Sequence, residues 1–509
     1  MSRLCVLICR VEDENQPDEL TLLSRQELPL LDRPEFAPAT TVDQMESRAV
    51  TAGQELVRQL IYHQWESFDQ QCAAEVQRLS PPVTPSCDGK DFLKVATSVG
   101  VLRLPRQVLW DPACQQHLLP GNAWLPEHGG MLITRRLQEW ACLLGIDFSF
   151  PIAQRLLGWQ AGEEQLLCPK EVQRLVCRHG QILQAAAAAE VQELLARPDL
   201  EGLAAQWVPA DPPRRPAAWP KELQEVVLTA LAAESPTPPE GVTPAAWERV
   251  LAVRRAEAAT PVATLARLGP ELTPDQVLVS ADGVLVRQPA KKSWGEVRTA
   301  CVVTPQGYRF LCGTGWLFLQ QLWLLILLAG GLRGWVTFVS DGARWLREFA
   351  QEQLQRLPRR EVLLDWFHLV KKVKDRISRM GGSPSEKKAL RRAVVGALWR
   401  GEVDGALEQL EQYRATAKNP KALEELQDYL RARREWLPHY QERRKQQQYI
   451  GSGHVEKLND RLVARRQKNH GMHWNLVTSE ALARLKALQL NHEWDAYWAE
   501  GLLPSLVAA

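Results

Sequence analysis

The stretch from Gln276 to Trp366 constrains the fold more than any other part of this 509-residue chain. Three blocks read as strands, at 276–287, 296–304 and 308–312, and Pro305-Gln306-Gly307 turns the second into the third. An apolar helix at 316–329 follows, then a strand at 335–340, a helix at 344–354, a strand at 361–365 and a basic helix from Trp366. Three strands in a meander, then helix, strand, helix, strand, predict an α/β fold. Its mixed sheet starts antiparallel, finishes parallel and is flanked by helices.

Acidic residues sit at chosen places in that order. Asp341 closes the strand Val336-Thr337-Phe338-Val339-Ser340, and Asp282 lies within Val279-Ser280-Ala281-Asp282-Gly283. Asp365 follows Val362-Leu363-Leu364. An unpaired carboxylate is too costly to bury for packing alone, and a sheet edge is where open α/β sheets place ligands. Parallel central strands would set Asp282 and Asp341 side by side, and two like charges so placed call for a divalent cation. Carboxylate oxygens with open water positions suit Mg²⁺ or Mn²⁺. A pair of such ions about 3.5–4 Å apart serves in-line phosphodiester chemistry. The third acid is expected from a later helix, in Gly451-Ser452-Gly453-His454-Val455-Glu456, with Val455, Leu458 and Leu462 as its buried face. Glu456 borders that face, and Asp460 stands one turn on as a substitute. By spacing alone Asp365 rivals Asp341 as the second carboxylate. An aspartate helix cap is the plain alternative at Asp341.

Net charge is only +2, but it is unevenly spread. Residues 1–50 hold ten acids and five bases, whereas 366–400 hold ten Lys/Arg against two acids. A basic excess beside the acids predicts a polyanion partner. Lys371, Lys372, Lys374 and Arg376, with Arg461, Arg465, Arg466 and Lys468, are the candidate phosphate contacts. Trp474 is expected to pack, with stacking on an unpaired base as the alternative. The apolar run 316–329 is shorter than the roughly 20 residues needed to span a bilayer and contains Gln320 and Gln321. A buried core helix is expected there, with no membrane association. Scattered cysteines and no visible signal peptide fit a reduced, cytoplasmic setting.

Upstream, residues 1–80 read as a helical region. In 81–120 a β-hairpin joins two turns bearing Cys87 and Cys114 with His117, the outline of a zinc ribbon. Three donors do not close a four-ligand structural site, so a hairpin without its metal is expected, and these residues are the residual zinc candidates. Residues 121–200 read as helices stopped by Gly145 and Gly158, with a third from Pro169 to Gly180. That pattern suits a helix-turn-helix with Arg174 and Arg178 facing phosphate, or a small helical packing domain. Residues 201–270 form a helical linker with Pro-rich breaks. The first part of the sheet domain spans 271–380, a helical insertion 381–449, and the remainder 450–509.

Asp282-Gly283, Ser340-Asp341-Gly342-Ala343, Leu364-Asp365-Trp366-Phe367-His368, and the run from Gly451 to Glu456 with Arg465-Arg466-Gln467-Lys468-Asn469-His470-Gly471-Met472-His473-Trp474 together resemble bacterial insertion-sequence DDE transposases. The resemblance is to the ISKra/ISLre type, related to Mutator-like elements, and covers roughly 270–500. It extends more weakly over 81–190, where relatives carry a Cys-rich ribbon and a helical DNA-binding segment. It implies an RNase H-like core with a helical insertion, and Asp282, Asp341 and Glu456 as catalytic and metal-holding residues. Asp365 and His368 would form an accessory motif. Two Mg²⁺ or Mn²⁺ ions, double-stranded DNA as element ends and target, a nucleoid-associated location and a homodimer or larger assembly in synapsis are implied with it. A structure-selective nuclease on the same fold and a domesticated, non-catalytic DNA-binding protein are the alternative readings.

Overall fold

Residues 3–29 form an antiparallel hairpin, β1 (Arg3–Val11) with β2 (Leu20–Pro29), in a computed structural model. It describes residues 3–11, 20–29, 38–79, 85–125, 131–197, 276–290, 293–304, 307–468 and 472–506, with isolated positions at 237–238, 244 and 247. In the region read as helical, 1–80, the hairpin occupies the acidic, proline-containing start, where the sequence reading has no strands. Val6, Ile8 and Val11 are β-branched and favour a pleated surface, and helix begins only with α1 (Pro38–Leu79). The expected linker at 201–270 lies outside the described residues apart from those isolated positions.

The chain divides into two compact units, Met1–Arg178 and His179–Ala509. In the first, β3 (Ser86–Thr97), β4 (Gly100–Asp111), β5 (Gln116–Leu118) and β6 (Leu132–Ile133) make a sheet of order β5-β4-β3-β6. Alternation along β3 and β4 buries Leu93, Val95, Leu102 and Leu104 against Ile61, Tyr62 and Trp65 of α1. Three helices follow, α2 (Arg135–Asp147), α3 (Phe150–Ala161) and α4 (Pro169–Ala196), all longer than their glycines suggested. Gly145 lies inside α2, where an added Cβ would stand 2.9 Å from Val176, so it serves close packing and does not stop the helix. The glycine that does end a helix is Gly162, left-handed at φ 68° after α3. Arg174 and Arg178 are exposed one turn apart. The boundary between the units falls within α4, after Arg178.

The second unit is built on a five-stranded mixed sheet. Its strands β7 (Gln276–Arg287), β8 (Trp294–Thr304) and β9 (Gly307–Gly313) form the expected antiparallel meander. Next, β10 (Trp335–Ser340) pairs parallel to β7, and β11 (Arg360–Leu364) parallel to β10, giving the order β11-β10-β7-β8-β9. Parallel pairing needs crossovers, supplied by α5 (Gly315–Ile326) and α6 (Arg344–Glu352). Both pack on the face carrying Val277, Val279, Ala281, Val336 and Phe338. The apolar run at 316–329 is thus a core helix, and among the described residues no helix is long and apolar enough to cross a membrane.

From β11 the chain enters α7 (Trp366–Arg379) and then a helical insertion. It comprises α8 (Pro384–Trp399), α9 (Val403–Gln412), α10 (Pro420–Arg431) and α11 (Tyr440–Lys445). Leu369, Val373 and Ile377 of α7 share a separate core with Leu390, Val394, Leu410, Leu423 and Leu426. Each such side chain contributes about 1.5–3 kcal/mol, so the insertion carries its own stabilisation. The chain returns in α12 (Gly453–Asn459), continues through a π-helical turn at Asp460–Ala464 and short α13 (Arg465–Gln467), and ends its packing with α14 (Leu476–Leu490). Val455, Leu458 and Leu462 are buried against Val284, Val286 and Val297, on the sheet face opposite α5.

Candidate active site

Strand register places the acids. Ser340 pairs with Ala281 on one side and with Leu364 on the other. One residue further along these parallel strands come Asp341, Asp282 and Asp365, three carboxylates in one row. Antiparallel β8 extends the row with Thr299, the partner of Asp282. Asp282 therefore lies inside a strand and Asp341 just past the end of one, as their flanking apolar residues indicated.

The three aspartates have different surroundings. Asp365 is fully buried. Its Oδ1 accepts from the backbone N–H of His368 at 2.8 Å, capping α7, and lies 3.2 Å from His368 Nδ1. Its Oδ2 accepts from both the backbone N–H and the hydroxyl of Ser452, the latter at 2.7 Å. Burial pushes this carboxyl up, but His368 and Ser452 outweigh it and hold the acid below its ordinary value. Asp365 thus spends its acceptor capacity on clamping the loop before α12 to the end of β11. Gly451 permits that approach, since a Cβ there would stand 2.9 Å from Phe367 and 3.2 Å from Asp365.

Asp341 keeps one oxygen for the N–H of Ala343 at 2.8 Å, a tight turn that Gly342 completes at φ 73°. Asp282 accepts from its neighbour Gly283 N–H at 2.7 Å and from the Asn459 amide at 2.6 Å. Burial first, and then the like charge of Asp341, push the Asp282 carboxyl up to about 6, against the opposing pull of Gly283, His368 and Asn459. Glu456, half exposed on α12, lies with Oε1 3.7 Å from His368 Nε2. His368 therefore stands between Asp365 and Glu456. The Asp365 carboxylate beside it is the main reason that its pKa rises to about 9, aided by Glu456 and Asp282. It is a cation at neutral pH.

Among the described residues no Lys or Arg ion-pairs with Asp282, Asp341 or Glu456, and Asp460, the substitute for Glu456, is engaged by Arg465 at 2.6 Å. Two adjacent carboxylates with oxygen lone pairs to spare fit a hard divalent cation. The donor pair is Asp282 with Asp341. Among the described residues no three His, Cys, Asp or Glu side chains are grouped closely enough to share one ion, so Glu456, which lies beside His368, is not a third member of that pair. The same holds for Cys87, Cys114 and His117. Both cysteines are exposed, and His117 Nδ1 lies 3.2 Å from Asp88.

The basic residues sort by burial. Lys371, Lys374, Arg465 and Lys468 are exposed, and Lys372 and Arg461 are partly so. Lys372 leans over Tyr429 at 5.6 Å and Arg376 pairs with Glu425, both contacts to the insertion. Arg466 corrects the expectation that it faces outward. It is buried, with its guanidinium 4.8 Å over the ring of Trp474. The cause is helical phase: 466 follows Leu458 and Leu462 at four-residue steps on the buried stripe. Trp474 packs, its Nε1–H donating to Gln467 O at 3.0 Å.

Four contributors were not assigned a role from sequence. Ser452 anchors Asp365, Thr299 and Asn459 reach Asp282, and Arg433 comes from the insertion to donate to Gly342 O at 2.9 Å beside Asp341. Only Asn459 had a legible signal, three residues after Glu456 on the same helical face. No protein-family model matches the chain, and no curated protein matches it either.

Proposed function

We propose that this chain is a DDE-type transposase, cutting DNA at the ends of a mobile element and joining the freed 3′-hydroxyls to target DNA. One observation carries the reading: Asp282 and Asp341 each stand one residue beyond the Ser340–Ala281 pair of two adjacent parallel strands, with no Lys or Arg ion-pair partner among the described residues. The sheet order supports an RNase H-like core, a meander of three strands extended by two parallel ones. The return of the chain after a helical insertion to bring Glu456 beside His368 supports the same core.

Asp282 and Asp341 would hold a divalent cation, Mg²⁺ or Mn²⁺, with Glu456 the acid available to a second. Bound there, such ions activate an attacking oxygen and stabilise a leaving one. The protein's own residues prepare the place. Asp365 takes no part in it directly, being spent on Ser452 and His368. His368, held charged, offsets the accumulated negative charge of Asp365, Glu456 and Asp282. Arg433 sets a second cation beside Asp341, where a DNA phosphate would need one. Lys371, Lys374, Arg465 and Lys468 supply exposed positive charge on α7 and at the end of α12–α13 for double-stranded DNA.

The test is a plasmid carrying the reading frame with its native flanks, incubated with the full-length protein and Mg²⁺. Cutting at the flanks followed by joining to a second DNA is expected. Asp282→Asn and Asp341→Asn are each expected to abolish cutting while DNA binding persists. Persistent cutting by either variant would remove that residue from the site. Cutting of branched DNA without any joining would identify a nuclease, and binding without cutting a non-catalytic DNA-binding protein.

A further inference from the structure

We propose that Asn459, anchored by Thr299, is the positioning residue that aims the Asp282 carboxylate at its cation. This rests on the reading of Asp282 as a metal-holding acid. Thr299 is fully buried and directly opposite Asp282 across the β7–β8 ladder. A threonine hydroxyl has one proton to donate, and it goes to Asn459 Oδ1, with the Asp282 carbonyl further off at 3.4 Å. The acid, which can only accept, decides which end of the amide it meets, and the Thr299 hydroxyl anchors the oxygen left on the other side. With Oδ1 turned to Thr299, Nδ2–H is presented to Asp282 Oδ2 at 2.6 Å. The opposite rotamer would set an amide oxygen against a carboxylate, with two acceptors facing one another.

The result is a carboxylate held from both sides. Gly283 N–H takes Oδ1 and Asn459 takes Oδ2, one bond on each oxygen. The plane of the group is set, while a lone pair on each oxygen stays available. Partners behind a ligand that fix its orientation typically matter 10- to 100-fold in metal affinity, about that much being lost when they are removed. The placement of Asn459 is itself ordered. It is the last residue of α12, three after Glu456, and the π-helical turn at Asp460–Ala464 begins immediately after it. Such turns widen a helix locally and recur at functional sites. One short helix thus carries Glu456 and the amide that aims Asp282, and the amide is tied to the sheet through Thr299 of β8.

The experiment measures Mn²⁺ binding to the full-length protein without DNA, by electron paramagnetic resonance of free Mn²⁺, alongside thermal melting. Thr299→Val preserves shape but removes the donor, and Thr299→Ser restores the donor without the methyl group. Thr299→Val is expected to weaken Mn²⁺ binding about 10-fold and Asn459→Ala about 10- to 100-fold. Thr299→Ser is expected to rescue the affinity. A packing role would order the variants the other way, because serine loses volume and valine does not. Should Asn459→Ala fail to fold, the threonine pair still decides. The proposal is overturned if Thr299→Val binds Mn²⁺ like the parent, or if Thr299→Ser is as weak as Thr299→Val. Asp282→Asn separates the two levels: if it leaves Mn²⁺ binding intact, the metal-holding reading of Asp282 fails first.

Discussion

Replacing Asp365 by Asn tests how the loop before α12 is held. Three hydrogen bonds converge on this fully buried carboxylate, from His368 N–H, Ser452 N–H and the Ser452 hydroxyl, with His368 Nδ1 3.2 Å away as a charge partner. A hydrogen bond to a charged group contributes about 1.5–3 kcal/mol. The substitution also turns one acceptor oxygen into an NH₂ facing donors, so a buried pair is broken, which costs roughly 3–5 kcal/mol. Because a 509-residue chain with two compact units need not unfold in one step, the local readout is hydrogen exchange of a peptide spanning 447–456. At about 1.36 kcal/mol per tenfold, Asp365→Asn should speed exchange there by about 100-fold or more. Ser452→Ala, which deletes one hydrogen bond to the charged acid, costs about 1.5–3 kcal/mol and should give about 10-fold or somewhat more. The same loop should respond to pH. His368 stays protonated in the folded protein up to about pH 9, against 6.5 for an ordinary histidine. Its contribution is therefore complete below about pH 6.5 and is lost as the pH rises through about 9. That gap corresponds to about 3 kcal/mol, cut to about 1–2 kcal/mol by the partial exposure of His368. Exchange in Asp365→Asn within about threefold of the parent would refute the clamp.

Other substitutions probe the remaining contacts. Gly342→Ala meets two obstacles: a left-handed φ of 73°, and a Cβ 2.8 Å from both Arg433 Nε and Leu364 Cδ1. A loss of about 1–3 kcal/mol in chemical denaturation is expected, and an unchanged midpoint would show that the loop relaxes freely. Arg466→Ala should lower thermal stability by about 1–3 kcal/mol through lost stacking on Trp474. Arg465→Ala, 70% exposed at its side chain, should change stability by less than about 0.5 kcal/mol but reduce the salt slope of DNA binding by about one. Equal melting temperatures for the two variants would contradict the burial of Arg466.

Much of the sheet could be read in advance because strand formation leaves a local signature. Period-two apolar blocks, a Pro-Gln-Gly turn and intervening helical runs determined the order of elements from 276 to 365 and the placement of Asp282 within a strand and Asp341 at the end of one. The buried face of α12 was legible for the same reason, in Val455, Leu458 and Leu462 at helical spacing. Glycine misled where its local meaning was ambiguous. Gly145 and Gly158 read as stops but lie within helices, because close packing and chain reversal call for the same residue. The N-terminal hairpin was hidden by an acidic, proline-bearing start.

What needed the tertiary structure was which donors each acid meets. Asp341 and Asp365 are alike in sequence, each ending an apolar strand. They differ in that Ser452, 87 residues after Asp365, takes an oxygen of one and not of the other. Hydrogen bonds are local in space and indifferent to chain separation, so no window of sequence around either aspartate contains that distinction. Thr299 and Asn459 reach Asp282 from 17 and 177 residues away. The sequence by itself determined where carboxylates stand on the sheet. Only the folded chain decided which are bound up in holding it together and which keep lone pairs for a ligand.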